Sequence, residues 1–185
     1  MMRALTSILR SWRPVLLIGA LVCALPGPVA GSVTLEVHQV ADGQVKAAFL
    51  FNLAKFVEWP SPGDGPLVIG IASDRAFAEV VAQTVLGRSV NGRAVETRRL
   101  AGGDDPSGCA IVFVGAMRPK DEDDWLQRLH GPVLTVGESA RFLRSGGMVR
   151  LYVETRKVRF QVNQKNAEAA DLNISSQLLI LAARP

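Results

Sequence analysis

Three short, almost unbroken apolar runs constrain this chain more than anything else in it: LVIGIAS (Leu67 to Ser73), CAIVFVGA (Cys109 to Ala116) and PVLTVGES (Pro132 to Ser139). Each is rich in β-branched residues, bounded by turn formers and short for a buried helix. A strand with no polar side is a strand covered on both faces, as in a parallel sheet. Helical segments lie between these runs. RAFAEVVAQTVLG follows Asp74, a natural N-cap, and ends at Gly87. DEDDWLQRLHG (Asp121 to Gly131) crowds its carboxylates at the start, where the helix dipole favours negative charge. VNGRAVETRRL, with a turn at Asn91-Gly92, reads as a half-exposed or edge strand.

The last third of the chain changes period. In MVRLYVET and KVRFQVNQ, Val149, Leu151 and Val153 share one side with Val158, Phe160 and Val162, while Arg150, Arg159 and Gln161 interleave. Two alternating runs joined by a short polar link predict an antiparallel hairpin with one wet face. ARFLRSGG reads as a short helix closed by Gly146-Gly147, and residues 166–183 as one closing helix with Ile174, Leu178 and Leu181 on a stripe. The expected fold is an α/β three-layer sandwich with a mainly parallel sheet and an antiparallel C-terminal hairpin at its edge.

The front of the chain has a different character. Arg3, Arg10 and Arg13 precede the apolar run Val15 to Leu25, small residues follow in PGPVAGS, and no acidic residue occurs before Glu36. That order predicts a secretory signal peptide over residues 1–30, with an uncleaved signal anchor as the rival reading; the run is short of the roughly 20 residues that a spanning helix needs. Cys23 follows Val22 rather than a small residue, which argues against a lipid anchor. The chain's formal +4 falls to +1 without the three leader arginines, leaving 18 basic against 17 acidic residues. A nearly neutral domain has no counterion-release drive toward nucleic acid. Residues 31–185 then form one domain, large enough for its own core, with Cys109 as its single cysteine and no intramolecular disulfide within reach. Cys109 reads as a small buried hydrophobe in a strand.

Residues 32–59 read as a long helix stopped by Pro60. Val45, Ala48, Phe49, Asn52 and Phe56 fall on one side of it, and Ala47, Leu50, Ala54 and Val57 on nearly the opposite side. One apolar face covers a sheet; two faces need a second cover, either more of the same domain or another protein. Together with the Leu/Ile stripe of the closing helix, this makes Leu50, Val57, Leu178, Leu179 and Ile180 the candidate partner or dimer interface.

Chemistry is sparse by comparison. His38 and His130 lie far apart and only one mature cysteine exists, so no metal-ligand spacing appears. GIASDRA sits at a strand-to-helix junction without the glycines or lysine of a phosphate-binding loop. Gly137-Glu138-Ser139-Ala140 lacks the frame of a nucleophile elbow, and Asp121 to Asp124 read as a solvated helix start. The residues thus predict no catalytic, cofactor or metal site. A small-molecule binder or enzyme using the C-terminal ends of the parallel strands, where open α/β sheets take their ligands, is the alternative.

VKAAFLFNLAKFVEWP (Val45 to Pro60), followed in order by LVIGIAS, SVNGRAVETRRL, CAIVFVGA, VLTVGES, VRFQVN and AEAADLNISSQLLILAAR, resembles the YfiR family of exported proteins, with similarity from about Val45 to Arg184. The resemblance implies a non-enzymatic periplasmic repressor that binds the periplasmic domain of an inner-membrane diguanylate cyclase. It would hold the cyclase inactive, lowering cyclic di-GMP and biofilm formation. It also implies a possible homodimer and no insertion into the membrane after signal cleavage. Some members use cysteines as a redox-linked brace, a device for which Cys109 has no partner in the mature chain.

Overall fold

The computed structural model describes residues 31–60 and 63–182, with side chains from Asp42 onward; the expected leader, residues 1–30, lies outside them. The first described elements are α1 (Gly31–Phe56) and β1 (Val57–Glu58), so the predicted first helix ends three residues early and its tail becomes a strand. β2 (Leu67–Ala72), α2 (Arg75–Val85), β3 (Ser89–Val90) and β4 (Arg93–Arg99) follow, then β5 (Ile111–Val114), α3 (Pro119–Arg128) and β6 (Leu134–Gly137). β7 (Val149–Glu154) and β8 (Lys157–Val162) form the hairpin. α4 (Gln164–Glu168), β9 (Asn173–Ile174) and α5 (Ser176–Leu181) close the chain.

The main sheet has seven strands in the order β3-β4-β2-β5-β6-β7-β8. The five from β4 to β7 run parallel, and the antiparallel strands β3 and β8 finish the two edges. The three apolar runs are β2, β5 and β6 in the middle of this sheet. Alternation along β5 shows the layering: Ile111 and Phe113 enter one buried cluster with α1 and α2, whereas Val112 and Val114 enter a second with Trp125 of α3 and Phe142. Two clusters on opposite faces make three layers, as the sequence predicts. Each fully buried Val, Ile or Leu stabilises by about 1.5–3 kcal/mol relative to exposure, which is why runs without a polar side are confined to this centre.

Local signals act where they were expected. The Asp74 carboxylate accepts the Phe77 amide at 2.8 Å and caps α2. Asn91 (φ 51°) and Gly92 (φ 80°) turn β3 into β4, both in the left-handed region that a tight hairpin turn requires. Thr155 (φ 47°) and Arg156 (φ 61°) make the same kind of turn between β7 and β8, which a polar link alone does not announce.

Two segments differ from the sequence reading. Residues 166–183 do not form one helix: α4 ends by Glu168, Asp171 takes φ 58°, and Asn173 and Ile174 pair with Glu58 and Val57 before α5 begins. The apolar stripe is real, but Leu172, Ile174 and Leu178 reach the core by bending the chain around the end of α1. ARFLRSGG is a series of turns instead of a helix. Its backbone is drawn around Phe142, which is fully buried with Gly137 and Gly147 against its ring. A methyl group on either glycine would overlap the ring, so these two positions need glycine for space.

Among the described residues no helix is long and apolar enough to cross a membrane.

Candidate functional site

The predicted interface residues divide sharply by depth. Leu50 and Val57 line the α1 side of the core, and Leu178 joins them from α5; all three are buried by this chain's own residues and offer no surface in this fold. Leu179 is half-buried against the same cluster, while Ile180 is 82% exposed and its neighbour Leu181 71%. One face of α1 is therefore core, and α5 contributes to both the inside and the outside.

The fold brings the end of α1 and the C-terminal segment together. β1 and β9 pair antiparallel with Val57 opposite Ile174, the Ser175 amide donates to the Phe56 carbonyl at 2.9 Å, and the Asn173 amide group donates to the Glu58 carboxylate at 2.9 Å. The Ser175 hydroxyl then accepts the Gln177 amide and caps α5. Leu178 is held down as a peg, and Ile180 and Leu181 are turned outward on the same short helix. Two adjacent large aliphatic side chains thus stand mostly in water next to a backbone tied to the end of α1.

A second feature lies at the opposite end of the sheet. In the parallel run β4-β2-β5-β6-β7 the chain moves first to one side of β2 and then to the other, so the topological switch point falls between β2 and β5. A crevice of about 550 Å³ opens there, lined by Asp42, Lys46, Ser73, Asp74, Phe77 and Glu138 among others. Lys46 of α1 and Glu138 at the end of β6 form an ion pair across it.

The acidic start of α3 is more structural than its sequence suggests. Asp121 and Asp124 pair with Arg118 and Lys120 on the surface, as a solvated helix start would. Glu122, however, is 1% exposed and accepts the Ser139 hydroxyl at 2.9 Å, and both Asp123 oxygens meet Arg141 at 2.8 Å. Four consecutive acidic residues look equivalent in sequence; helical periodicity turns two of them toward the loop after β6. Ser139→Ala removes the hydroxyl donor from a buried carboxylate and should cost about 1–3 kcal/mol, read as a lower urea midpoint. Ser139→Thr, which keeps the hydroxyl, should lose much less.

Cys109 is buried and free, as expected of a core thiol. Its sulfur accepts Arg98 Nη2 at 2.9 Å and packs against Gly70, whose missing side chain makes room for it. The loop leading to it is tied by Asp105, which accepts the Ser107 hydroxyl at 2.6 Å and the Ser107 amide at 2.9 Å. Those bonds hold the Asp105 carboxyl below its usual value of 3.8. Among the described residues no group of His, Cys, Asp and Glu is arranged to hold a metal ion.

No curated protein matches this chain. A family model does: residues 43–183, from the core half of α1 through α5, match YfiR/HmsC-like proteins. The chain belongs to the YfiR/HmsC-like family, whose members are periplasmic and regulatory, not catalytic.

Proposed function

We propose that this protein represses an inner-membrane diguanylate cyclase by binding its periplasmic domain, and so lowers cyclic di-GMP and biofilm formation. Family membership over residues 43–183 carries the reading, since that stretch includes every strand of the sheet and both segments that build the C-terminal ledge. The exposed Ile180 and Leu181 support it: a regulator without chemistry of its own acts by differential binding to two states of its target, and a rigid apolar ledge is suited to that. Export by the N-terminal leader belongs to the same proposal.

Deleting the gene should raise cellular cyclic di-GMP, and the tagged protein should capture a membrane protein carrying a cyclase output domain. An unchanged nucleotide level together with no captured cyclase would refute the repressor reading. The crevice at the switch point favours a second reading, a small-molecule site, with Lys46 and Glu138 as its polar groups. In that case a small ligand, rather than a membrane protein, would co-purify with the exported protein and raise its melting temperature.

A further inference from the structure

The near-neutral total of residues 31–185 conceals a strong separation of charge. Residues 144–165 carry six cations, Arg144, Arg150, Arg156, Lys157, Arg159 and Lys165, against the single carboxylate of Glu154. The remainder holds twelve basic against sixteen acidic residues. These cations also differ in how they are held. Elsewhere on the surface Arg75, Arg118 and Lys120 each lie 2.7–2.8 Å from a nearby carboxylate. In the hairpin segment Arg159 stands 3.6 Å from Glu154. Arg150 donates to the Gln161 side chain at 3.2 Å, and its guanidinium lies over Tyr152, 4.6 Å from the ring centre. Among the described residues Arg144, Arg156, Lys157 and Lys165 form no ion pair, and all four are exposed.

Strand alternation puts much of this charge on one plane. The cross-strand pairs Arg150–Gln161, Tyr152–Arg159 and Glu154–Lys157 share the side of the hairpin away from α1, because Leu151 and Phe160 between them enter the α1 cluster. Arg150 is level with Gly137 of β6, and Gly137 with Val114 of β5, so this is the side of the sheet that α3 covers at β5. Over the hairpin that side is open: Tyr152 and Gln161 are half-buried, and Lys157 and Arg159 are exposed. Arg156 extends the charge to the tip, on the turn between the strands.

We infer that this face of the β7–β8 hairpin rests on a membrane surface of anionic phospholipid headgroups. The cations are spread along a strand pair about 20 Å long, so they do not converge on a point as a site for one small anion must. Long, unpaired side chains suit headgroups that move laterally to meet them, whereas a specific acidic protein face favours arginines already fixed in bidentate geometry. Tyr152, with an apolar ring and a polar hydroxyl, is the kind of residue favoured at a membrane–water boundary. The negative remainder of the domain is repelled by the same surface, which fixes the orientation with the hairpin toward the lipid. The contact is electrostatic and superficial, and it holds the protein beside enzymes embedded in that membrane. It takes only the periplasmic location from the family and does not depend on repression.

Flotation of the purified exported protein with lipid vesicles, free of any partner, tests this independently of cyclase repression. The wild type is expected to float with vesicles of phosphatidylethanolamine and phosphatidylglycerol, to be released by high salt, and to ignore vesicles of phosphatidylcholine alone. Each cation at an anionic surface is worth about fivefold in affinity, so Lys157→Gln with Arg159→Gln should weaken binding roughly 25-fold with an unchanged circular dichroism spectrum. Arg75→Gln with Lys120→Gln lowers the net charge equally, away from the hairpin, and should bind as the wild type does. If the hairpin pair misfolds, Arg156→Asn decides: asparagine is tolerated in the left-handed turn, and this variant should lose about fivefold. A wild type that stays in solution, that binds phosphatidylcholine equally, or that loses no more from the hairpin variants than from the Arg75 and Lys120 pair would overturn the proposal. So would hairpin variants that keep their vesicle binding but no longer capture the cyclase from detergent extracts, since the face would then serve an acidic protein surface.

Discussion

Replacing Phe142 with alanine is expected to lower the melting temperature of this protein by roughly 6–20 °C. Phe142 is fully buried in the cluster formed by Ala72, Leu100, Cys109, Val112, Val114 and Trp125. Truncating a buried phenylalanine to alanine costs about 3–5 kcal/mol through lost transfer energy and the cavity left behind. For a domain of this size each kcal/mol is worth roughly 2–4 °C. The same ring predicts a companion effect of opposite cause. Gly137 and Gly147 lie against Phe142 from the end of β6 and from the loop before β7, so Gly147→Ala overfills the site and costs about 1–3 kcal/mol. Because the clash is with the ring itself, combining Gly147→Ala with Phe142→Leu should cost less than the two changes added. Strictly additive losses in thermal or urea unfolding would show that the glycine is required for another reason.

If this protein represses a cyclase as proposed, Ile180→Asp with Leu181→Asp is expected to abolish that repression without unfolding the protein. Both side chains are mostly in water, so the folded state loses little when they become polar. If the ledge on α5 is where the cyclase binds, two charges at its centre cost about 2 kcal/mol or more each and association falls by at least roughly 100-fold. Cellular cyclic di-GMP should then rise to the level of the deletion strain, and the cyclase should vanish from pull-downs. A double variant that still represses would move the contact away from α5. Leu178→Asp is the contrasting case: Leu178 is a core residue, and its replacement should destabilise the fold itself.

Much of the architecture was legible from the period of the apolar residues. β2, β5 and β6 announce themselves because a central parallel strand has no wet side, and the β7–β8 hairpin because an edge hairpin has one. Asp74 and the Asn91-Gly92 turn are local signals whose geometry depends on few neighbours. The C-terminal segment departs from its apolar spacing for a physical reason: that spacing suits a helix, but pairing Ile174 with Val57 is a contact between distant residues that overrides local preference. The loop around Phe142 escaped in the same way, since two glycines meet one ring only after three elements have assembled.

How deep each residue of the expected interface lies was not legible in the sequence. Both flagged segments, the end of α1 and the C-terminal stripe, do meet in the fold. Which members of an apolar stripe face outward depends on where α5 starts, and that is set by the Ser175 cap and the β9 pairing. The clamp of Glu122 and Asp123 on Ser139 and Arg141 was hidden because an acidic run at a helix start already has a sufficient local explanation.

The pairing of β1 with β9 also sets when this chain can fold. Val57 must wait for Ile174, and the cluster that contains both is completed by Leu178. A chain made from its N-terminus onward therefore cannot close its larger core until residues 174–178 have left the ribosome. Contacts between such distant residues are slow to form. If the chain is exported through a translocation channel, as proposed above, a core that locks only with residues 174–178 leaves the nascent chain open during its passage.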